Sequence, residues 1–135
     1  MTTSESTPGP AVRGTAETIA LFNEAFRLRD KDALADLVHD DCLMVSAQPG
    51  PDGTPYVGKD ACVAFWHELM DDLSASFEVE HTFAEGEWAA VRWRYRFGPT
   101  DAESVLGVNV TRVSDGRVIE QLGYTKTPGD LPLPE

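Results

Sequence analysis

Basic residues are scarce in this chain: 11 lysines and arginines stand against 23 aspartates and glutamates, a net charge of −12 over 135 residues. With a pI near 4.5, the surface repels phosphate backbones and anionic membranes, so neither nucleic acid nor a membrane is an expected partner. Long apolar runs are missing too, and none approaches the length that spans a bilayer. The amino terminus has neither a basic start nor an apolar core and does not read as a secretory signal. Cysteine occurs only as Cys42 and Cys62, too few for a disulfide framework or a zinc site, and each stands where a small apolar residue would serve. A reducing cytoplasm is the expected location. Histidine is limited to His39, His67 and His81, without inward carboxylates at ligand spacing, so no metal and no cofactor is expected.

Apolar residues are also thin at both ends. Residues 1–13 are rich in Ser, Thr, Pro and Gly and read as disordered, and residues 128–135, with three prolines, read as an extended surface tail. Between them, residues 14–127 make one domain. A chain of this size buries roughly two-thirds of its unfolded surface and folds without staples.

What is present is organised around residues 77–126, which read as four consecutive strands. Phe77–Phe83 alternates apolar and polar residues with period two, and Val91–Phe97 sets apolar or aromatic odd positions against Arg92, Arg94 and Arg96. Ala84-Glu85-Gly86 predicts a bulged three-residue hairpin, placing Val79 beside Val91, Phe77 beside Trp93 and Glu78 beside Arg92. The runs 103–113 and 117–126 meet at Ser114-Asp115-Gly116. A three-residue loop there pairs Asn109 with Gln121 and Gly107 with Gly123, whereas a two-residue Asp115-Gly116 turn brings Leu122 inward in place of Gln121. The first is preferred. It sets Trp93, Asn109 and Gln121 side by side, with Gly107 leaving a gap near Tyr95, the pattern of a pocket wall. On the other face the three arginines meet Glu78, Glu80 and Glu120 in a salt-bridge lattice. Trp88 points outward there with Leu106, Val108 and Val110, an apolar patch that predicts a homodimer.

Upstream, a helix from Thr15 carries Ile19, Phe22, Ala25 and Phe26 as its apolar stripe. Asp30 or Asp32 caps a second, short helix through Ala33, Leu34, Leu37 and Val38; Cys42–Ala47 reads as a strand and 48–55 as a Pro/Gly loop. Gly58 opens a third helix, Lys59 to about Leu73, with Cys62, Trp66, Leu69 and Leu73 inward.

This order of elements, with the runs Asp30–Asp41, Val57-Gly58 and Val113–Glu120, resembles the nuclear transport factor 2-like superfamily, and within it the SnoaL-like polyketide cyclases and ketosteroid isomerases. The resemblance implies an α+β cone: three N-terminal helices packed on a curved, mostly antiparallel sheet of four to six strands, a pocket on its concave face, and dimers through the convex one. It sets Phe22 where ketosteroid isomerases have an oxyanion-hole tyrosine and Ser46 where they have the carboxylate base. Trp66 replaces a supporting tyrosine, and Asn109 stands at the second oxyanion donor. Gln121 and Thr125 fall where the cyclases have an acid-base residue. Without that base, steroid isomerisation is disfavoured.

Two residues are catalytic candidates. His81 falls by strand parity on the inner face between Val79 and Phe83, where it is either a general acid-base near neutral pH or an inert rim histidine. Asn109 would donate to a substrate oxygen. Phe22, Ser46, Trp66, Trp93, Tyr95 and Gln121 are the substrate-binding candidates; the aromatics serve equally as core, and the two amides could instead satisfy each other. Three functions fit: a cofactor-free cyclase, isomerase or hydrolase acting on an apolar, oxygen-bearing small molecule; a non-catalytic binder of such a molecule; or a dimeric interaction module with a vestigial cavity.

Overall fold

The computed structural model describes residues 13–126, and the readings for residues 1–12 and for the tail from 127 lie outside them. The elements run α1 (Thr15–Leu28), α2 (Lys31–Asp36), β1 (Val38–Val45), β2 (Pro55–Val57), α3 (Lys59–Asp71), β3 (Ser76–Glu85), β4 (Trp88–Arg96), β5 (Ser104–Ser114) and β6 (Arg117–Thr125), with a 3-10 turn at Asp101–Glu103. Among the described residues the strands form one sheet in the order β2-β1-β6-β5-β4-β3. Only β1 and β6 pair in parallel. Three helices on a mostly antiparallel open sheet make the α+β cone that the sequence predicts.

Local chemistry sets the helix bounds. Gly14 is the N-cap of α1; the Thr15 hydroxyl donates to the Gly86 carbonyl at 2.5 Å, tying the helix start to the β3–β4 hairpin. At the other end Arg29 adopts the left-handed region, φ 57°. Its guanidinium donates to the carbonyls of Met70, Asp72 and Ala75, so one side chain satisfies the orphan acceptors where α3 gives way to β3. Asp30 caps α2, accepting from the Ala33 N–H at 3.1 Å. Val38 is not helical but opens β1, where Val118 N–H donates to Leu37 O. In α3 the buried residues are Cys62, Trp66 and Met70, each four apart; Leu73 lies beyond the helix and is 80 % exposed, because Met70 already occupies the inward position.

The core has two parts. One gathers Leu34, Val38, Met44, Trp66, Met70 and Val118 between the helices and β1/β6. The other packs Ile19 of α1 on Ala89, Val91, Trp93 and Val113 of the sheet.

Strand registers depart from expectation in an orderly way. The β3–β4 turn is two residues, with Glu85 opposite Trp88, and a bulge falls between Val79 and His81. Phe77 therefore faces Tyr95 and Val79 faces Trp93, a two-residue shift that keeps both on the inner face. At the second hairpin Asp115 (φ 57°) and Gly116 (φ 70°) form the two-residue turn, with Ser114 opposite Arg117. That turn alone would send Gln121 outward. A second bulge, between Val118 and Glu120, restores it: Thr111 faces Gln121 and Asn109 faces Gly123. Across β4, Gly107 lies opposite Trp93 rather than Tyr95.

Candidate functional site

A cavity of about 1290 Å³ lies between the concave sheet face and helices α1 and α3. Phe22, Trp66, Trp93, Tyr95, Asn109 and Gln121 all line it, as does Ser46. The volume exceeds the roughly 300–1,000 Å³ of ordinary small-ligand pockets.

The apolar wall is a chain of edge-on aromatic contacts, the arrangement that ring quadrupoles favour. Phe22 meets Trp66 at 5.1 Å, Phe26 meets Phe77 at 5.4 Å and Phe77 meets Trp93 at 5.2 Å between ring centroids. Phe77, Tyr56, Phe65 and Leu69 line the cavity as well and were not among the site candidates; Phe77 and Leu69 were legible from inward parity and helical spacing. Two glycines shape the sheet side. Any Cβ on Gly107 would lie 2.3 Å from the Trp93 ring, and one on Gly123 would lie 3.2 Å from the Asn109 Oδ1, so each glycine gives its neighbour's side chain room.

The polar groups are few. Gln121 is 7 % exposed and Thr111 fully buried, and the Thr111 hydroxyl donates to Gln121 Oε1 at 3.2 Å. Among the described residues the buried Trp93 indole N–H has no hydrogen-bond partner. Ser46 is engaged elsewhere: its hydroxyl donates to Gln48 O at 2.7 Å and its backbone N–H to Thr54 O, which pins the 48–54 loop. Thr111 was missed in the sequence; the signal was a β-branched hydroxyl two residues from Asn109 on the same face.

The charged side chains among the described lining residues are Glu24, Arg27, Glu78, Arg94 and Lys126. Of the carboxylates bordering the cavity, Glu24 pairs with Arg27 at 2.7 Å and Glu78 with Arg96 at 2.8 Å. The hydrogen bond from Arg27 holds the Glu24 carboxyl below its ordinary range, so it is a poor proton acceptor near neutrality. Burial, and after it the nearby Asp72 carboxylate, pushes the Tyr95 phenol above its ordinary value.

His81 does not line the cavity. The bulge after Val79 inverts strand parity, so His81 pairs with Arg92, is exposed and stacks on Phe83 at 4.4 Å. The other two histidines are bound elsewhere: His67 Nε2 lies 3.1 Å from Lys31 O, and His39 Nδ1 accepts from Asp41 N at 3.0 Å. No group of three or more metal-ligating side chains occurs among the described residues.

The SnoaL-like domain model matches residues 6–121. The chain belongs to the SnoaL-like domain family. This SnoaL-like domain is 37 % identical to a solved NTF2-like protein of unknown function from Mesorhizobium loti, over 92 % of this chain and 98 % of that one, with a TM-score of 0.77. A candidate ketosteroid isomerase from Kribbella flavida matches at 19 % identity over 89 % of this chain and 83 % of that one, TM-score 0.72. A candidate polyketide cyclase from Sinorhizobium meliloti matches at 20 % identity over 79 % and 93 %, TM-score 0.65. At these identities the last two share the fold. No curated protein matches. Among the described residues of this SnoaL-like domain no helix is long and apolar enough to cross a membrane.

Proposed function

We propose that this SnoaL-like domain binds a flat, apolar small molecule carrying a hydrogen-bond-accepting oxygen, with the ring system against Phe22, Trp66 and Trp93 and the oxygen at Gln121 and Asn109. The observation that carries this reading is the cavity wall itself, where Gln121 is 7 % exposed and the buried Trp93 indole N–H has no partner among the described residues. A buried polar group without a partner costs about 1–3 kcal/mol, which a ligand acceptor offsets. A thermal-shift screen of polycyclic ketones and quinones, followed by calorimetry, tests it. Saturable one-to-one binding is expected, and an absence of binding across the set refutes it.

A second reading, catalysis, is favoured by Asn109, which stands at an oxyanion-donor position in the family pattern, and by neighbours named for cyclase and isomerase activities. Donors aimed at a carbonyl stabilise a developing oxyanion. The ligand or bulk water would then supply the base, since among the described residues no histidine lines the cavity and its carboxylates, Glu24 and Glu78, are paired with arginines. Turnover of a screening hit, slowed by Asn109→Ala, would establish it.

We also infer a homodimer through the convex face, supported by the exposed Trp88, Phe83 and Tyr124 around Val108, Val110 and Leu122. Sedimentation at micromolar concentration should give a dimer that Val110→Asp converts to a monomer; a wild-type monomer refutes it.

A further inference from the structure

We propose that Thr111 is a positioning residue that fixes the Gln121 side chain as a hydrogen-bond donor toward the cavity, so that the site selects carbonyl-bearing ligands over their hydrocarbon counterparts. The proposal rests on the ligand reading above.

A glutamine amide has two ends of opposite polarity, and an apolar wall by itself does not decide which end faces a ligand. Thr111 decides it here. Its residue has no solvent-exposed surface, and it lies directly across the β5–β6 ladder from Gln121. A hydroxyl hydrogen sealed from water must find an acceptor inside the protein. Gln121 Oε1, 3.2 Å away, is that acceptor. Were the amide turned over, its NH2 would face the hydroxyl, the hydroxyl would accept, and its own hydrogen would be stranded. The cost of that stranded donor holds the carbonyl end down and the NH2 end up. The bulge between Val118 and Glu120 makes the arrangement possible, because without it Gln121 would not face Thr111 at all.

The consequence is a preference that can be measured with one ring skeleton. 9-Fluorenone and fluorene differ by a carbonyl in place of a methylene. One neutral hydrogen bond should favour the ketone by about three- to tenfold in Kd. Thr111→Val keeps the side-chain volume and removes the donor. The amide is then free to turn over, and the ketone preference should fall below about twofold while fluorene affinity stays within twofold of wild type. Thr111→Ser, which retains the hydroxyl, should restore the preference. Thr111→Cys, with only a weak donor, should lose it as the valine variant does and covers the case that the valine variant does not fold.

Calorimetric titration of wild type and the three variants with both compounds reads the ratio, which a general loss of stability would not change. An unaltered preference in Thr111→Val, or wild-type protein that binds both compounds equally, overturns the positioning role and leaves the cavity reading standing. Binding of neither compound overturns the ligand reading and the proposal with it.

Discussion

The outer edge of the Trp93 indole occupies the space where residue 107, directly across the β4–β5 ladder, would carry a Cβ: Cη2 and Cζ2 would lie 2.3 and 2.4 Å from it, and the Tyr124 carbonyl 2.7 Å. Backbone on one side and a ring held by Phe77 on the other leave that Cβ nowhere to go. Gly107→Ala should therefore lower stability by about 1–3 kcal/mol, as overpacked sites do. It should also tip the indole toward the cavity and reduce ligand uptake. Thermal denaturation and tryptophan fluorescence check both, and an unchanged melting temperature would contradict the close approach.

His81 is expected to be a bystander. His81→Gln should leave ligand affinity, and any turnover found, within about twofold of wild type, since proton transfer by a true acid-base residue contributes on the order of 10²–10⁴. A loss of that size would mean that the outer-face histidine reaches the substrate.

Arg29 should matter far more than its place at a helix end suggests. Arg29→Ala takes the guanidinium away from the carbonyls of Met70, Asp72 and Ala75 at once, and leaves Asp72 O only its 3.4 Å bond from the Ala75 N–H. A cost of about 2–4 kcal/mol is expected, read as a lower urea midpoint with an unchanged slope. Arg29→Lys should recover only part, because an ammonium lacks the planar fork that reaches several acceptors.

The two thiols give a pH prediction. Burial pushes both Cys42 and Cys62 up, with Cys62 beside it raising Cys42 further, and the Tyr95 phenol is raised as well. A group whose folded value lies above its unfolded one stabilises fully below the unfolded value and ceases to as pH rises through the folded value. These three groups should therefore add nothing to the pH dependence below about pH 8 and destabilise the fold progressively in alkali. In the native state at pH 8 neither thiol should react with a disulfide reagent, and both should react once urea unfolds the chain. Rapid native labelling would show that α3 opens away from β1.

Much of this was legible in the sequence, and the rest was hidden for a definite reason. Period-two alternation placed Trp93, Tyr95 and Asn109 on the inner face, and helical spacing aimed Phe22 and Trp66 at them. Those assignments tolerate a two-residue slip of register, which is why they survive the shifted pairing of Phe77 with Tyr95. They do not tolerate a bulge. The extra residue after Val79 exchanges the faces of everything beyond it and carries His81 outward, although Glu80-His81-Thr82 reads as unbroken strand. The bulge near Ile119 acts the other way and brings Gln121 inward despite the tight Asp115-Gly116 turn. Bulges arise from the curvature of the whole sheet rather than from alternation within one strand. Thr111 became visible only with Gln121 set opposite it.

Among the described residues the parallel pairing of β1 with β6 joins the first strand to the last. Val38 meets Val118, far along the chain, and Leu43, Met44 and Val45 align with Glu120, Gln121 and Leu122. While the chain is being synthesised, β1 has only the short β2 to pair with until residue 118 and those after it emerge. The helices and the β3–β4–β5 meander can form earlier from nearer contacts, but the seam that closes the sheet waits for β6. Contacts of such long sequence separation slow folding, and until β6 arrives one edge each of β1 and β5 stands open, the kind of unpaired strand edge through which chains associate wrongly.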